Sequence, residues 1–421
     1  MIIDDDPTGT QTVSGVDVIL APEAQAYDRF FASSARATYV LSNTRALDED
    51  AAIRHVREIE LGVRAAAARM GESVAFVLRG DSTLRGHVFA EADAIGGADS
   101  VVFFVPAFPE GGRTTVDRVQ WLEIGGSRKV PVSETEFAHD LVFGYRSRTL
   151  DAWVAEVGGG RFATIVPLAT VRTTGHAAIR DALITAPSRS VVIPEAETQA
   201  DLVVAARGLA EAEQAGRDVV VRSASTFAAI RAGLVGRKIR NVAVPAPGRV
   251  LAVCGSYTAA STDQLQHLAQ ETGTEPVELS PEWSSPGSLP SARQIDRAGK
   301  RLASDLARHG FAIVSTGRTR ADDAGDPALG ARVMAMLVGS VAGVGAMCDG
   351  LIAKGGITSA HVARHAMGAT VARVGGQVAP GVALWELPLG AGRHVPLAVV
   401  PGNVGGPRLL ADVARQFGVG R

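Results

Sequence analysis

Cysteine is nearly absent: Cys254 and Cys348 stand alone in 421 residues. Two thiols in separate contexts cannot build a disulfide framework. Neither has a partner at metal-ligand spacing, so a reducing, cytoplasmic setting is the expectation. No sign of charge dominates. Forty-two Lys and Arg face 44 Asp and Glu, for a net charge of −2. That balance excludes the concentrated positive field which nucleic acids and acidic membranes require. Long apolar runs are missing too. The longest uncharged stretch, Val333 to Cys348, has sixteen residues and several glycines. It falls short of the roughly 18–20 residues of a membrane span, so a buried helix is expected there. The chain opens Met-Ile-Ile-Asp-Asp-Asp, with neither a basic n-region nor an apolar h-region. Lysine is scarce: Lys129, Lys238, Lys300 and Lys354 are the complete set. Codon bias explains most of that, yet it singles out Lys354, which lies in a glycine-rich motif. Two nucleotide signatures are also absent. No G-x-x-x-x-G-K-[ST] occurs, which excludes the usual P-loop enzyme. The nearest approach to G-x-G-x-x-G begins at Gly343, has Cys348 in its third glycine position and lies within an apolar helical stretch. A dinucleotide-binding reading has no fingerprint here.

What is present describes a globular α/β chain. Hydrophobic residues make up 46% and charged residues 20%, enough for a substantial core. A length of 421 residues predicts two or three domains. In the first half, β-branched runs read as strands at Ile2–Ile3, Val16–Leu20, Ala37–Leu41, Val74–Leu78, Val101–Val105, Thr164–Pro167, Ser190–Ile193 and Asp218–Val221. Amphipathic helical patterns such as Ala51–Met70 alternate with them. Residues 233–248, with two prolines and little helical period, suit a connection. The rhythm then restarts, with strands expected at Val250–Cys254, Phe311–Ser315, Gly350–Ala353 and Leu397–Val400. The expected organisation is two α/β lobes with mainly parallel sheets and a cleft between them. The expected domains are residues 1–232 and 249–421, with 233–248 as the linker between them.

Three strand–turn–helix junctions in the second lobe look alike. One is Gly255-Ser256 after Val250–Cys254, leading to a helix that Ser261 and Gln264 could open as a capping box. Another is Lys354-Gly355-Gly356-Ile357-Thr358-Ser359. The third is Pro401-Gly402-Asn403-Val404-Gly405-Gly406. Glycine lets backbone N–H groups approach an anion, and the following helix adds free N–H groups and a positive dipole end. Any single junction is explained equally well as an ordinary tight β–α loop. Three in one lobe favour a phosphate-bearing nucleotide.

In the first lobe, Asp4-Asp5-Asp6 follows the first strand directly. Three successive carboxylates repel one another unless solvated, paired with cations or bound to metal. Arg79-Gly80-Asp81-Ser82-Thr83-Leu84-Arg85-Gly86-His87 follows Val74–Leu78, and Asn43-Thr44-Arg45 follows Ala37–Leu41. Arginine's planar fork suits an organic carboxylate, and Asp81 suits substrate hydroxyls or a proton from one. His87, alone near a strand end, reads more readily as structural. Strand ends delivering Asp, Asn and Arg to one edge are what a polar small-molecule site needs.

Together these motifs resemble the four-carbon acid sugar kinase family over nearly the whole chain. The matching stretches are DDDPTGTQTV (4–13), SNTRAL (42–47), RGDSTLRGH (79–87), PAFPEGGRTT (106–115), VSETEFAHD (132–140), FGYRS (143–147), CGSYT (254–258), AKGGITS (353–359) and PGNVGG (401–406). SNTR stands where a TNSR-like sequence is expected, and Gly80 where serine is commoner. The resemblance implies an ATP-dependent kinase acting on the C4 hydroxyl of threonate, erythronate or a 3-oxo derivative. The first lobe would bind the sugar acid and the second the nucleotide. Carried over by position, the substrate side includes Asp5, Asp6, Arg79, Asp81 and Arg85. The nucleotide side includes Ser256, Gly355, Gly356, Thr358, Ser359, Gly402 and Asn403.

The sugar carboxylate would dock on Arg85 or Arg79, with Asn43 and Arg45 at the same edge. ATP phosphates would lie on the Lys354–Ser359 and Gly402–Gly406 loops with Mg²⁺ bridging their oxygens. Asp6 and Asp81 are the alternative bases. Metal ligands are not assigned, although Asp322, Asp323 and Asp326 sit in a loop of the second lobe. The sequence leaves a homodimer open, along with two other functional readings. One is a dehydrogenase or aldolase acting on similar acids, and the other is a non-catalytic sugar-acid sensor.

Overall fold

The structure, a computed structural model, describes residues 1–234, 242–244, 248–256, 258–279, 292–317, 329–402 and 404–420. The chain divides into two compact units. One comprises Met1–Thr12 and Pro22–Arg237, the other Val13–Ala21 and Lys238–Arg421. The expected first domain, 1–232, ran without interruption, whereas Val13–Ala21 belongs with the second unit. Much of the expected linker, 235–241 and 245–247, lies outside the described residues.

The strands are β1 (Ile2–Asp4), β2 (Val16–Ile19), β3 (Tyr39–Leu41), β4 (Val77–Arg79), β5 (Val102–Val105), β6 (Arg113–Val116), β7 (Val119–Ile124), β8 (Arg128–Pro131), β9 (Phe162–Val166), β10 (Ser190–Pro194) and β11 (Val220–Ser223). They continue with β12 (Val250–Cys254), β13 (Val277–Leu279), β14 (Phe311–Thr316), β15 (Gly350–Lys354), β16 (Val371–Ala379), β17 (Val382–Pro388) and β18 (His394–Val400).

In the first unit the order is β3-β1-β4-β11-β5-β10-β9, parallel throughout. The chain leaves β1 to one side for β3 and returns on the other for β4. That reversal makes the carboxyl ends of β1 and β4 a topological switch point, where open α/β sheets take their ligands. The long helix Glu49–Arg69 starts on Asp48, whose side chain accepts from Ala51 N at 2.8 Å. It buries Ala52, Val56, Ile59, Val63, Ala66 and Ala67 at helical spacing.

An antiparallel sheet of β6, β7 and β8 has no counterpart in the strands expected from the sequence. Its first turn pairs Val116 with Val119 and holds both Asp117 (φ 51°) and Arg118 (φ 65°) in the left-handed region. A two-residue hairpin with both central φ positive normally carries glycine, so this turn announces itself poorly.

The second unit orders β13-β14-β12-β15-β18-β17-β16-β2. The first five are parallel, with the chain again reversing between β12 and β15. The rest are antiparallel, β2 pairing with β16. The hairpin β16–β17 was not among the expected strands, although its Pro380-Gly381 turn, with Gly381 at φ 75°, is a turn signal. The apolar stretch from Val333 forms the helix Leu329–Ala342 and a short turn Gly345–Met347, burying Val333, Met336, Leu337, Val341 and Cys348. Among the described residues no helix is long and apolar enough to cross a membrane.

Candidate functional site

The carboxyl edge of the first unit's sheet concentrates opposite charges. Asp4, Asp5 and Asp6 are all buried. Such a run is tenable only where guanidinium groups surround it. Arg79 Nη1 donates to Asp4 Oδ1 at 2.9 Å and to the Asp6 carbonyl at 3.1 Å, and stands 3.6 Å from Asp5. Arg222 donates from Nη2 to Asp5 Oδ2 at 3.3 Å and from Nη1 to Glu91. Arg45 Nη2 donates to Asp6 Oδ2, and its Nη1 lies 3.5 Å from Asp81. Arg85 Nε donates to Asp81 Oδ2 at 2.7 Å, while its Nη1 lies 3.5 Å from Asp140.

The environment sorts these carboxyls. Burial pushes Asp4 up to about 7 against the pull of Arg79, and burial also raises Asp5. Asp6 is buried as well, but Arg45, Arg79 and the Thr8 hydroxyl and amide hold it below its ordinary value. Burial acts against Asp81 too, yet Arg85, Arg45 and the Thr83 hydroxyl and amide keep it strongly ionised. The two candidate bases are therefore ionised acceptors at neutral pH.

Asn43, Arg45, Arg79, Asp81 and Arg85 thus gather around Asp5 and Asp6. Asn43 sits in the left-handed region (φ 52°) with its amide donating to the Asp4 carbonyl at 3.3 Å. Its Oδ1 is buried without a partner among the described residues. Arg222 and Glu91 are central here, and the sequence reading passed over both. A charged residue within an otherwise apolar strand was the available signal for Arg222. The departure at Gly80 also has a cause, because a Cβ there would overlap the Arg222 guanidinium. His87 Nε2 lies 2.9 Å from the Leu47 carbonyl, which suits a structural tie.

In the second unit the three glycine turns occupy the carboxyl ends of β12, β15 and β18, the first two at its switch point. The helix after β12 spans Ala259–Thr272, and its cap is Thr258, not the expected Ser261: Thr258 Oγ1 accepts from Ser261 N at 3.2 Å. Ser261 and Gln264 face the 401–406 turn. Ser261 Oγ donates to the Gly402 carbonyl at 3.1 Å and Thr258 Oγ1 does so at 3.0 Å. Gln264 Nε2 reaches the carbonyls of Val404 (3.0 Å) and Gly405 (3.2 Å). Lys354, fully buried, donates from Nζ to the Pro401 carbonyl at 2.7 Å, and burial pushes its pKa down to about 8.

With those carbonyls turned toward side chains, the N–H groups of Gly402, Val404, Gly405 and Gly406 have no protein acceptor among the described residues. Backbone N–H groups left free in this way fit an anion. Gly355 (φ 113°) and Gly356 lead into the turn of helix Gly356–His361. Gly255 is required beside them, since a Cβ there would overlap Thr358 Oγ1. Ser359 Oγ instead donates inward to the Gly355 carbonyl at 2.8 Å. Ser256 lies within the cluster, its Oγ 2.8 Å from Ser261 Oγ. Asn403, Asp322, Asp323 and Asp326 lie outside the described residues. Among the described residues no group of three or more His, Cys, Asp or Glu is placed to hold a metal.

Residues 1–231 match a sugar-binding N-terminal domain, and residues 251–410 match a nucleotide-binding C-terminal domain. The chain belongs to the four-carbon acid sugar kinase family. Among curated relatives it is 27% identical to the D-threonate kinase of Cupriavidus necator, over 92% of this chain and 90% of that one. Two solved structures share the fold of this family member. One, described as a putative tRNA synthase from Salmonella typhimurium LT2, has a TM-score of 0.70 at 20% identity, covering 99% of this chain and 98% of that one. A Haemophilus influenzae protein has a TM-score of 0.64 at 19% identity, covering 99% of each.

Proposed function

We propose that this chain is an ATP-dependent kinase that phosphorylates the terminal C4 hydroxyl of a four-carbon sugar acid of the threonate, erythronate or 3-oxo-tetronate type. The observation that carries the reading is the turn after β18. The carbonyls of Pro401, Gly402, Val404 and Gly405 are tied to Lys354, Thr258, Ser261 and Gln264. Among the described residues the N–H groups of Gly402, Val404, Gly405 and Gly406 have no protein acceptor and are left for an anion. The likeness to a D-threonate kinase supports the choice of substrate class.

In this reading the 402–406 and 354–359 turns hold the phosphates of ATP. Gly355, Gly356 and Gly402 supply close backbone approach, and Ser256 and Thr358 supply hydroxyls. Asn403 is retained on the nucleotide side from its place in the motif. Lys354 acts through the Pro401 carbonyl. Ser359 acts through its inward bond to Gly355. Mg²⁺ arriving with the nucleotide would supply charge neutralisation to the phosphates, since no acidic cluster among the described residues is placed to hold it. In the first unit Asp5 and Arg79 serve charge balance, while Asn43 Oδ1 is an acceptor for a substrate hydroxyl. Asp6 and Asp81, both kept ionised, are the candidates to accept the hydrogen of the attacking hydroxyl. Phosphoryl transfer needs positioning and charge neutralisation more than covalent help, which suits residues of this kind.

The test is ADP release from purified protein with ATP, Mg²⁺ and a panel of tetronates, with the product's phosphate position read by NMR. Turnover giving a 4-phosphate is expected. Absence of turnover on every acid of three to six carbons would remove the kinase reading. Ligand binding without turnover would indicate a sensor instead.

A further inference from the structure

We propose that Arg113 receives the carboxylate of the acid substrate and makes the first unit selective for acids over neutral polyols, an inference that rests on the kinase reading above. Four arginines of this edge already have carboxylate partners: Arg45 with Asp6, Arg79 with Asp4, Arg85 with Asp81 and Arg222 with Glu91. Arg79 and Arg222 are also almost wholly buried. An incoming acid would have to displace an internal ion pair to use any of the four.

Arg113 differs. Among the described residues it makes no ion pair. Its Nη1 donates to the Gly111 carbonyl at 2.6 Å, and its Nε is buried with no partner. The guanidinium carbon lies 5.8 Å from the centre of the Phe108 ring, so one face has an aromatic support. Burial and the neighbouring Arg85 both disfavour its charge, and Asp81 favours it, which places Arg113 in the field of the Asp81–Arg85 pair. A partly desolvated guanidinium without a counter-charge gains most from an anion that arrives with the ligand. Its planar fork can then grip a carboxylate by two parallel hydrogen bonds.

The local chain is built to hold that side chain in place. Phe108 and Arg113 exchange backbone hydrogen bonds, Phe108 N to Arg113 O at 2.8 Å and Arg113 N to Phe108 O at 2.9 Å. Gly112 takes φ 71°, and a Cβ on Gly111 would lie 2.6 Å from Arg113 Nη1. The two glycines of the PAFPEGGRTT stretch therefore let the guanidinium lie back over its own turn.

The experiment compares wild type, Arg113→Met and Arg113→Lys. D-Threonate, D-erythronate and the neutral polyol erythritol are the ligands, with ADP release and calorimetry as readouts. Arg113→Met is expected to weaken binding of both acids about 100-fold. It should leave ATP affinity and the weak response to erythritol unchanged, so that acid-over-polyol selectivity collapses. Arg113→Lys keeps a charge and should recover part of the loss, which separates an anion site from a folding defect. Wild-type turnover with unaltered acid affinity in Arg113→Met sinks the Arg113 assignment alone, as does equal loss toward acid and polyol. Acid binding that is lost in Arg113→Met, in a wild type that never releases ADP, sinks the kinase reading and leaves the anion site standing. A wild type that neither binds nor turns over either acid overturns both.

Discussion

Arg45 joins the two candidate bases: one guanidinium nitrogen is hydrogen-bonded to Asp6 and another stands 3.5 Å from Asp81. Each carboxylate owes part of its low pKa to that single side chain. The two are therefore electrostatically coupled even though they stand 75 positions apart in sequence.

Arg45→Ala should leave Asp6, which is almost fully buried, with only Arg79 and the Thr8 hydroxyl and amide to hold its charge, while Asp81 keeps Arg85. Breaking a buried pair from one side costs about 3–5 kcal/mol. Denaturant melts should show that deficit at neutral pH. It should narrow in acid, because Asp6 without Arg45 has a pKa above its wild-type value and protonation relieves it. The acid limb of kcat/KM should move to higher pH for the same reason. An unshifted limb would show that neither carboxylate titrates in the activity.

Arg222 neutralises Asp5 and Glu91 from within β11, at 1% exposure. Arg222→Met should lower stability by about 3–5 kcal/mol. Gly80→Ala should do part of the same damage by crowding the guanidinium. Calorimetric melting temperatures check both. A Gly80→Ala protein as stable as wild type would mean that Arg222 has room to move.

Lys354 titrates near 8 in the fold against 10.5 when free. Between those values the unfolded chain binds the extra proton, so wild-type stability should rise with pH there by about 3 kcal/mol from this group. Below pH 8 the contribution is absent. Lys354→Met should remove the rise while leaving stability near pH 7 closer to wild type. Denaturant midpoints at pH 7.5 and pH 10 measure it, and parallel curves for the two proteins would place the ammonium in water.

Gln264→Ala frees the carbonyls of Val404 and Gly405. The turn should lose its fixed orientation, and ATP affinity should fall about tenfold, the loss of one to two hydrogen bonds' worth of preorganisation. Sugar-acid affinity should be unchanged. Calorimetry with a non-hydrolysable ATP analogue distinguishes this from a general loss of folding, which would weaken both ligands.

Most core strands could be read from the sequence because β-branched runs such as Val102–Val105 and Val250–Cys254 are buried on both faces and carry little else. The glycine turns were legible for a similar local reason. Less visible were elements set by long-range pairing. Val16–Ile19 reads as a strand, but nothing nearby shows that its partner is Val371–Val374 in the other half of the chain. The hairpin turn at Asp117-Arg118 lacks glycine, and the cap at Thr258 competes with an equally plausible Ser261.

The sequence by itself determined the strand–helix rhythm, the three glycine turns and the supply of aspartates and arginines at one sheet edge, since these depend on neighbours a few residues apart. Tertiary structure alone decided which charge answers which. Asp5 meets Arg222 across 217 positions and Arg222 meets Glu91 across 131. Coulomb attraction and desolvation act over ångströms in space, and no pattern along the chain records which side chains will share them.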